Sequence, residues 1–215
     1  MRSITVLNTA RVYEHIAMFL KSFETEGERV LEIGCGGKQY SVCVGNSYWG
    51  LDLRNDKYPG DSPDVLADAH HIPVSDNSIH LVFVVAALHQ MQDPVMVMKE
   101  VHRVLMPRGR FVIFDYASWV CRRLGAPHVL SSRILCTKLR ELDFDASIHR
   151  DCVPIKGPRC CRVLWSLRIW RILFYFISNW IVVSGSKRAS AGRAMADTRT
   201  SPSATCNFSS IDVDQ

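Results

Sequence analysis

Two hydrophobic patterns alternate along the first half of this chain. Short, nearly continuous apolar runs occur at Val30-Leu31-Glu32-Ile33, Tyr48-Trp49-Gly50-Leu51-Asp52-Leu53, Val65-Leu66-Ala67-Asp68, Leu81-Val82-Phe83-Val84-Val85-Ala86 and Phe111-Val112-Ile113-Phe114. Runs of this kind predict strands buried on both faces, as in a parallel sheet. Between them lie segments with helical spacing. Asn8 opens a helix whose stripe is Tyr13, Ile16, Ala17, Leu20 and Phe23, and the acid-rich stretch from Glu24 to Glu28 ends it. Asp93-Pro94 opens another, with a capping acid and a proline at the first helical position; Val97, Met98, Val101, Val104 and Leu105 form its apolar face. Met106-Pro107-Arg108-Gly109 stops it. Strand and helix in alternation predict a doubly wound α/β sheet with right-handed crossovers.

Two connections are distinctive. Residues 37–46 leave room for only one or two turns, because an ordinary crossover needs about 10 to 12 residues. Residues 54–64 are polar and rich in turn formers, so a surface loop is expected. Beyond Tyr116 the pattern loosens. Ser131 or Ser132 caps a helix using Ile134, Leu135, Leu139 and Leu142; Ala146 to Cys152 reads as a sixth strand, 153–162 as a loop, 165–176 as helix-compatible, and Trp180 to Val183 as a last strand. From Ser184 to Gln215 there are too few apolar residues to offset the ordering entropy, which predicts a disordered tail.

A chain of 215 residues with 47% hydrophobic content accommodates one globular α/β domain, and no second domain is expected. Charge is divided unevenly: residues 1–116 carry 11 basic and 14 acidic groups, residues 117–215 carry 15 and 7, so the C-terminal part needs its own reading. The first residues lack an apolar core of signal-peptide length, and a cytoplasmic location is expected. The eight cysteines are scattered without a CxxC pair and read as small buried apolar residues. No carboxylates stand at metal-ligand spacing, so no metal is expected.

The chemistry concentrates where apolar runs end on acids and glycines. Ligands of such sheets bind in the crevice at the carboxyl ends of the strands. The cluster Gly34-Cys35-Gly36-Gly37 lets the backbone turn sharply there. A dinucleotide fingerprint requires a further glycine where this chain has Gln39, which argues against a pyrophosphate cofactor and a NAD(P)-dependent oxidoreductase. Three acids, Glu32, Asp52 and Asp68, close strands 1, 2 and 3. Carboxylates so placed can orient an amino-acid moiety, take ribose hydroxyls and receive an adenine amine of a nucleoside cofactor. Each acid taken singly has a plain alternative as a turn or capping residue.

These stretches, with Ala67-Asp68-Ala69-His70-His71-Ile72-Pro73-Val74-Ser75-Asp76-Asn77-Ser78 and Glu100-Val101-His102-Arg103-Val104-Leu105-Met106-Pro107-Arg108-Gly109-Arg110, resemble the class I S-adenosylmethionine-dependent methyltransferases. The likeness is to the small-molecule enzymes with a Leu-Glu-Ile-Gly-Cys-Gly type of first motif, and it covers about residues 28–117. It implies a seven-stranded Rossmann-like sheet, mostly parallel, with helices on both faces, and S-adenosylmethionine as cofactor. Residues matching Gly34 and Gly36 let the backbone approach the methionine part, which the acid matching Glu32 orients. The match of Asp52 binds both ribose hydroxyls, with Leu53 beside the adenine. Asp68 matches the acid that receives the adenine amine, Ala69 the residue whose amide reaches a ring nitrogen, and Ala86 a carbonyl contacting the cofactor's amino group. Lys38 departs from the pattern, standing where many members have a third glycine, and Arg108 also replaces a common glycine.

The implied organisation is an N-terminal helix in 1–27, a cofactor-binding core in 28–117, an acceptor-side part in 118–183 and the tail 184–215. His89, at the crevice edge after strand 4, is the candidate catalytic base, since an imidazole of ordinary pKa suits proton removal from an oxygen or nitrogen nucleophile. The competing role is a wall or capping histidine; His70 and His71 read as solvated or structural. The aromatic and basic segment 117–180 points to a small-molecule acceptor, apolar or anionic, with peripheral membrane contact as a further use of that surface. The uncharged run Ile172 to Ser186 is too short and polar to span a bilayer. No nucleic-acid module is present, and nucleic acid is not expected as a partner. A binding protein that holds the cofactor without transferring its methyl group is the alternative from another class.

Overall fold

A computed structural model of the chain describes residues 9–23, 25–45, 47–53, 61–127, 131–149 and 180–189. Its elements are α1 Thr9–Lys21, β1 Val30–Ile33, β2 Tyr48–Asp52, β3 Val65–Leu66, β4 Ile79–Val85, α2 Pro94–Val104, β5 Leu105–Tyr116, α3 Ser118–Arg123, α4 Ser132–Glu141, β6 Phe144–Ile148 and β7 Trp180–Lys187. A single 3-10 turn, Ser41–Cys43, occupies the short connection between β1 and β2. The seven strands form one sheet in the order β3-β2-β1-β4-β5-β7-β6. All pairings are parallel except those of β7, which lies antiparallel to both β5 and β6.

Strand alternation sorts the core into two layers. Leu31, Ile33, Val82, Val84, Phe111 and Ile113 face α2 and α4, whose buried side chains include Val97, Met98, Val101, Leu135 and Leu139. Val30, Leu81, Phe83, Val85, Val112 and Phe114 face Ile16, Phe19 and Leu20 of α1. Glu32 shares the α1 face with Val30, so the first site acid is carried into the core rather than onto the rim. Asp93 caps α2, its Oδ1 accepting from the N–H groups of Val95 and Met96 at 3.0 Å each.

Several expected boundaries move. The second helix ends at Val104, and β5 begins directly at Leu105, absorbing the Met106–Gly109 turn within a strand whose pairing with β4 shifts register between Ile79 and Leu81. The sixth strand is Phe144–Ile148 instead of Ala146–Cys152, and α3 was not anticipated. The expected tail loses its first residues to β7, which runs on to Lys187. There Gly185 fits between β5 and β6 because it has no side chain: a Cβ would lie 1.9 Å from the Asp145 carbonyl oxygen. Lys187 then donates through Nζ to Asn77 Oδ1, His102 O and Leu105 O at 2.8 to 2.9 Å. Backbone pairing with β5 up to Ser186 and with β6 up to Lys187 holds Ser184 to Lys187 in the sheet despite their polarity. Trp180 to Val183 are buried, so this part of the run considered for interfacial binding belongs to the core. No helix among the described residues is long and apolar enough to cross a membrane. The expected loop at 153–162, the helical pattern at 165–176 and the tail from residue 190 lie outside the described residues, as do residues 54–60 of the surface loop.

Candidate active site

The carboxyl ends of β1, β2 and β4 open on one crevice of about 590 Å³, within the size range of small-molecule sites. All eight residues anticipated at the cofactor line it: Glu32, Gly34 and Gly36 on the β1 side, Asp52 and Leu53 after β2, Asp68 and Ala69 beyond β3, and Ala86 after β4. Their convergence follows from the strand order, since β1 sits between β2 and β4 with in-step parallel pairing. Tyr40, His70, Gln90 and Met91 also line the crevice.

The glycine turn is built on a positive φ at Gly34 (72°) and Gly36 (51°), followed by Lys38 at 54°. The N–H groups of Gly34 and Cys35 donate to the Leu51 carbonyl at 2.8 and 3.2 Å, tying the turn to β2. The space a Gly34 side chain would take belongs to Ala87, whose Cβ would lie 2.4 Å away, so this glycine lets β1 and the segment after β4 close together. Gly36 N–H donates to Asp52 Oδ2 at 2.9 Å and aims that carboxylate along the crevice. Lys38, in place of a glycine, ion-pairs with Asp64 at 2.7 Å, and the other Asp64 oxygen accepts from Gly50 N–H at 2.8 Å. Burial acts against the Asp64 carboxylate, but the bonds from Lys38 and Gly50 outweigh it and hold its pKa below the usual range.

The two outer acids differ in setting. Asp68 is half exposed to the crevice; its Oδ1 accepts from the backbone N–H of His70 at 2.9 Å and from that ring's Nδ1 at 2.5 Å, which keeps the carboxylate pKa low. His70 Nε2 accepts in turn from Asp93 N–H at 3.1 Å, which places the ring proton on Nδ1 and ties the adenine-side acid to the start of α2. His70 is therefore a lining and positioning group, not a merely solvated one. Glu32 is 1% exposed and accepts from Tyr48 Oη at 2.5 Å. Burial drives its pKa up to about 8, against the lowering effect of the Tyr48 bond and with added repulsion from Asp52.

Ala86 closes the far wall with φ 52°, a conformation that L-residues rarely hold and that costs about 1–3 kcal/mol where the surroundings impose it. Its N–H is held by the Phe114 carbonyl at 2.8 Å. Its own carbonyl accepts from Gln90 Nε2 at 3.3 Å.

His89 sits behind this crevice instead of on its lining. It is 8% exposed and borders a small adjacent pocket with Asp115, Tyr116 and Cys121. Asp115 holds it twice: Oδ2 accepts from the His89 backbone N–H at 2.8 Å, and Oδ1 accepts from Nδ1 at 2.7 Å. That bond leaves Nε2 as the nitrogen able to take a proton. The Tyr116 ring stands edge-on to the imidazole at a centroid distance of 5.1 Å. Asp115 was not among the anticipated site residues. The signal was present, since it too is an acid ending a strand run, but its partner lies 26 positions earlier, in the 3-10 turn that follows the neighbouring strand β4. The nearby thiols are not nucleophiles: burial raises Cys35 to about 12 and Cys121 to about 11, and Cys35, Cys43, Cys121 and Cys136 are buried and unpaired in disulfides.

A glycine turn, three convergent acids and the 3-2-1-4-5-7-6 sheet define a class of proteins. Residues 31–113 match the model of a family described as a methyltransferase domain. It is 30% identical over 106 residues to the 27-O-demethylrifamycin SV methyltransferase of Amycolatopsis mediterranei, covering 42% of this chain and 39% of that one. It is 32% identical over 137 residues to phthiotriol/phenolphthiotriol dimycocerosates methyltransferase 1 of Mycobacterium ulcerans, covering 53% and 50%. The chain thus spans half or less of the length of these relatives. Among solved structures, a methyltransferase from Archaeoglobus fulgidus superposes with a TM-score of 0.61 at 17% identity, over 81% of this chain and 94% of that one. That likeness is one of fold.

Proposed function

We propose that this protein transfers a methyl group from S-adenosylmethionine to an oxygen or nitrogen of a small apolar or anionic molecule, and that the 590 Å³ crevice holds the methyl donor. The observation that carries the reading is the spacing of acids along that crevice, a buried carboxyl at one end and an exposed, hydrogen-bonded carboxylate at the other. A nucleoside joined to an amino acid matches this layout, and no pyrophosphate-binding glycine is required. When bound, S-adenosylmethionine supplies a methyl group activated on a sulfonium sulfur.

The chain's own residues bind, orient and exclude water. Asp52, aimed by Gly36 N–H, takes the ribose hydroxyls, and Leu53 flanks the adenine. Asp68, held by His70, accepts the adenine amine, and Ala69 N–H donates to the ring. Glu32 and the Ala86 carbonyl receive the ammonium of the methionine part, with Gly34 and Gly36 giving it room. His89, oriented by Asp115, takes the acceptor's proton at Nε2, following the general pattern of a base held by a third group. The two relatives are named for transfer onto a demethylated rifamycin and onto phthiotriol compounds. An acceptor with a hydroxyl on an apolar body is in keeping with both names.

Calorimetry with S-adenosylhomocysteine and with NADH tests the assignment. The full chain should bind S-adenosylhomocysteine, and Asp52→Ala should weaken that binding at least about tenfold through loss of charge-assisted hydrogen bonds. NADH binding without S-adenosylhomocysteine binding refutes it. For His89→Ala, turnover with a hydroxylated acceptor should fall by about 10² to 10⁴ with cofactor affinity unchanged. Equal turnover would make His89 a wall residue.

A further inference from the structure

We infer that Tyr48 is a positioning residue for cofactor binding: its hydroxyl holds Glu32 toward the methionine end of the crevice, and Glu32 gives up a proton to solvent when the cofactor's ammonium arrives. This rests on the assignment of the crevice to S-adenosylmethionine.

The geometry starts from strand register. Glu32 on β1 is opposite Gly50 on β2, and Tyr48 lies two residues before Gly50 on the same face. Tyr48 therefore reaches Glu32 diagonally, across a position without a side chain. A Cβ on Gly50 would stand 2.9 Å from Tyr48 Oη and 2.7 Å from Cys35 Sγ. Gly50 is small because this hydroxyl passes over it. The ring is fixed from the other side as well: Lys38 Nζ lies 5.8 Å from its centroid while paired to Asp64, and Phe83 packs at 6.3 Å. The lysine that departs from the family's glycine pattern thus braces the tyrosine that holds the site's buried acid.

The surroundings set the charge state of Glu32. Tyr48 and Asp52 from β2 act on it, and Tyr13 from α1, Tyr40 and Cys43 at the 3-10 turn and Cys35 after β1 lie close enough to feel its charge. No cation among the described residues pairs with it, and Asp52 repels a second negative charge. A carboxyl buried in this way holds a proton at neutral pH. The arriving ammonium provides the missing cation, the O–H bond breaks, the proton leaves to buffer, and the Tyr48 hydroxyl stays on the carboxylate. Tyr48→Phe removes the one contact here that favours the charged form.

The test is calorimetry of S-adenosylhomocysteine from pH 6 to 9 in two buffers of different protonation heat, on the full chain and on Tyr48→Phe, with 5′-methylthioadenosine as a ligand lacking the amino-acid end. Wild type should release close to one proton per ligand near pH 7, with affinity rising as pH approaches about 8. Tyr48→Phe should bind S-adenosylhomocysteine about tenfold more weakly, with the pH midpoint moved upward, and should bind 5′-methylthioadenosine as wild type does. Equal loss for both ligands, or an unmoved pH profile, overturns the inference and leaves the cofactor assignment standing. No S-adenosylhomocysteine binding by wild type overturns both. If the variant does not fold, the wild-type proton count decides: no proton release overturns it.

Discussion

Gly34→Ala places two separable strains at the centre of the site. The backbone φ there is 72°, in the left-handed region, and an L side chain costs about 1–2 kcal/mol in that conformation. The added methyl would also lie 2.4 Å from Ala87 Cβ, well inside any tolerated contact. Overpacking of that kind costs about 1–3 kcal/mol, so the sum is about 2–5 kcal/mol. Ala87 is flanked by Ala86, already at φ 52°, so relief by moving the β4 end disturbs the carbonyl expected at the cofactor ammonium. Urea unfolding should show the full stability loss, and calorimetry should show weakened S-adenosylhomocysteine binding. The double substitution Gly34→Ala/Ala87→Gly removes the collision but keeps the dihedral cost. It should recover the overpacking part, less the price of a glycine at 87, which is about 1 kcal/mol or less. A single variant within about 0.5 kcal/mol of wild type, the range of innocuous substitutions, would refute the reasoning. So would a double variant no better than the single.

Arg108 holds φ 65° at an exposed position, and Arg108→Gly should be neutral or should stabilise by up to about 1 kcal/mol in thermal unfolding. A clear loss would mean that the arginine side chain has a structural role. A chain cut before Ser184 should melt well below one cut after Ala189, because it loses half of β7 and the three Lys187 bonds; equal melting temperatures would count against that strand. His102 packs edge-on to Phe144, its Nε2 buried without a hydrogen-bond partner among the described residues, and burial lowers its pKa. Its folded value lies below the unfolded one, so its contribution is present above about pH 6.5 and is lost as pH falls toward the folded value. His102→Leu should flatten the fall in stability that begins below about pH 6.5, and an unchanged acid limb in urea titrations would contradict this.

The sequence alone was enough for features whose causes lie within a few residues. Apolar runs through β1, β2 and β4, the Asp93-Pro94 start of α2 and the acids at strand ends are all local signals, and together they pointed to a doubly wound sheet and to Glu32, Gly34, Gly36, Asp52 and Asp68 at its crevice; Leu53, Ala69 and Ala86 came from the family resemblance. The short link after Gly37 was legible too, because chain length alone limits it to a turn. What the tertiary structure decided depends on which strands become neighbours. His89 meets Asp115 across β4 and β5, Tyr48 meets Glu32 across β2 and β1, and Lys187 reaches a helix end 82 to 85 positions earlier. The entry of β7 between β5 and β6 kept Ser184 to Lys187 ordered, although their composition predicted the opposite. A local pattern records how much water a segment avoids; a hydrogen-bond partner far along the chain is fixed only when the sheet closes around it.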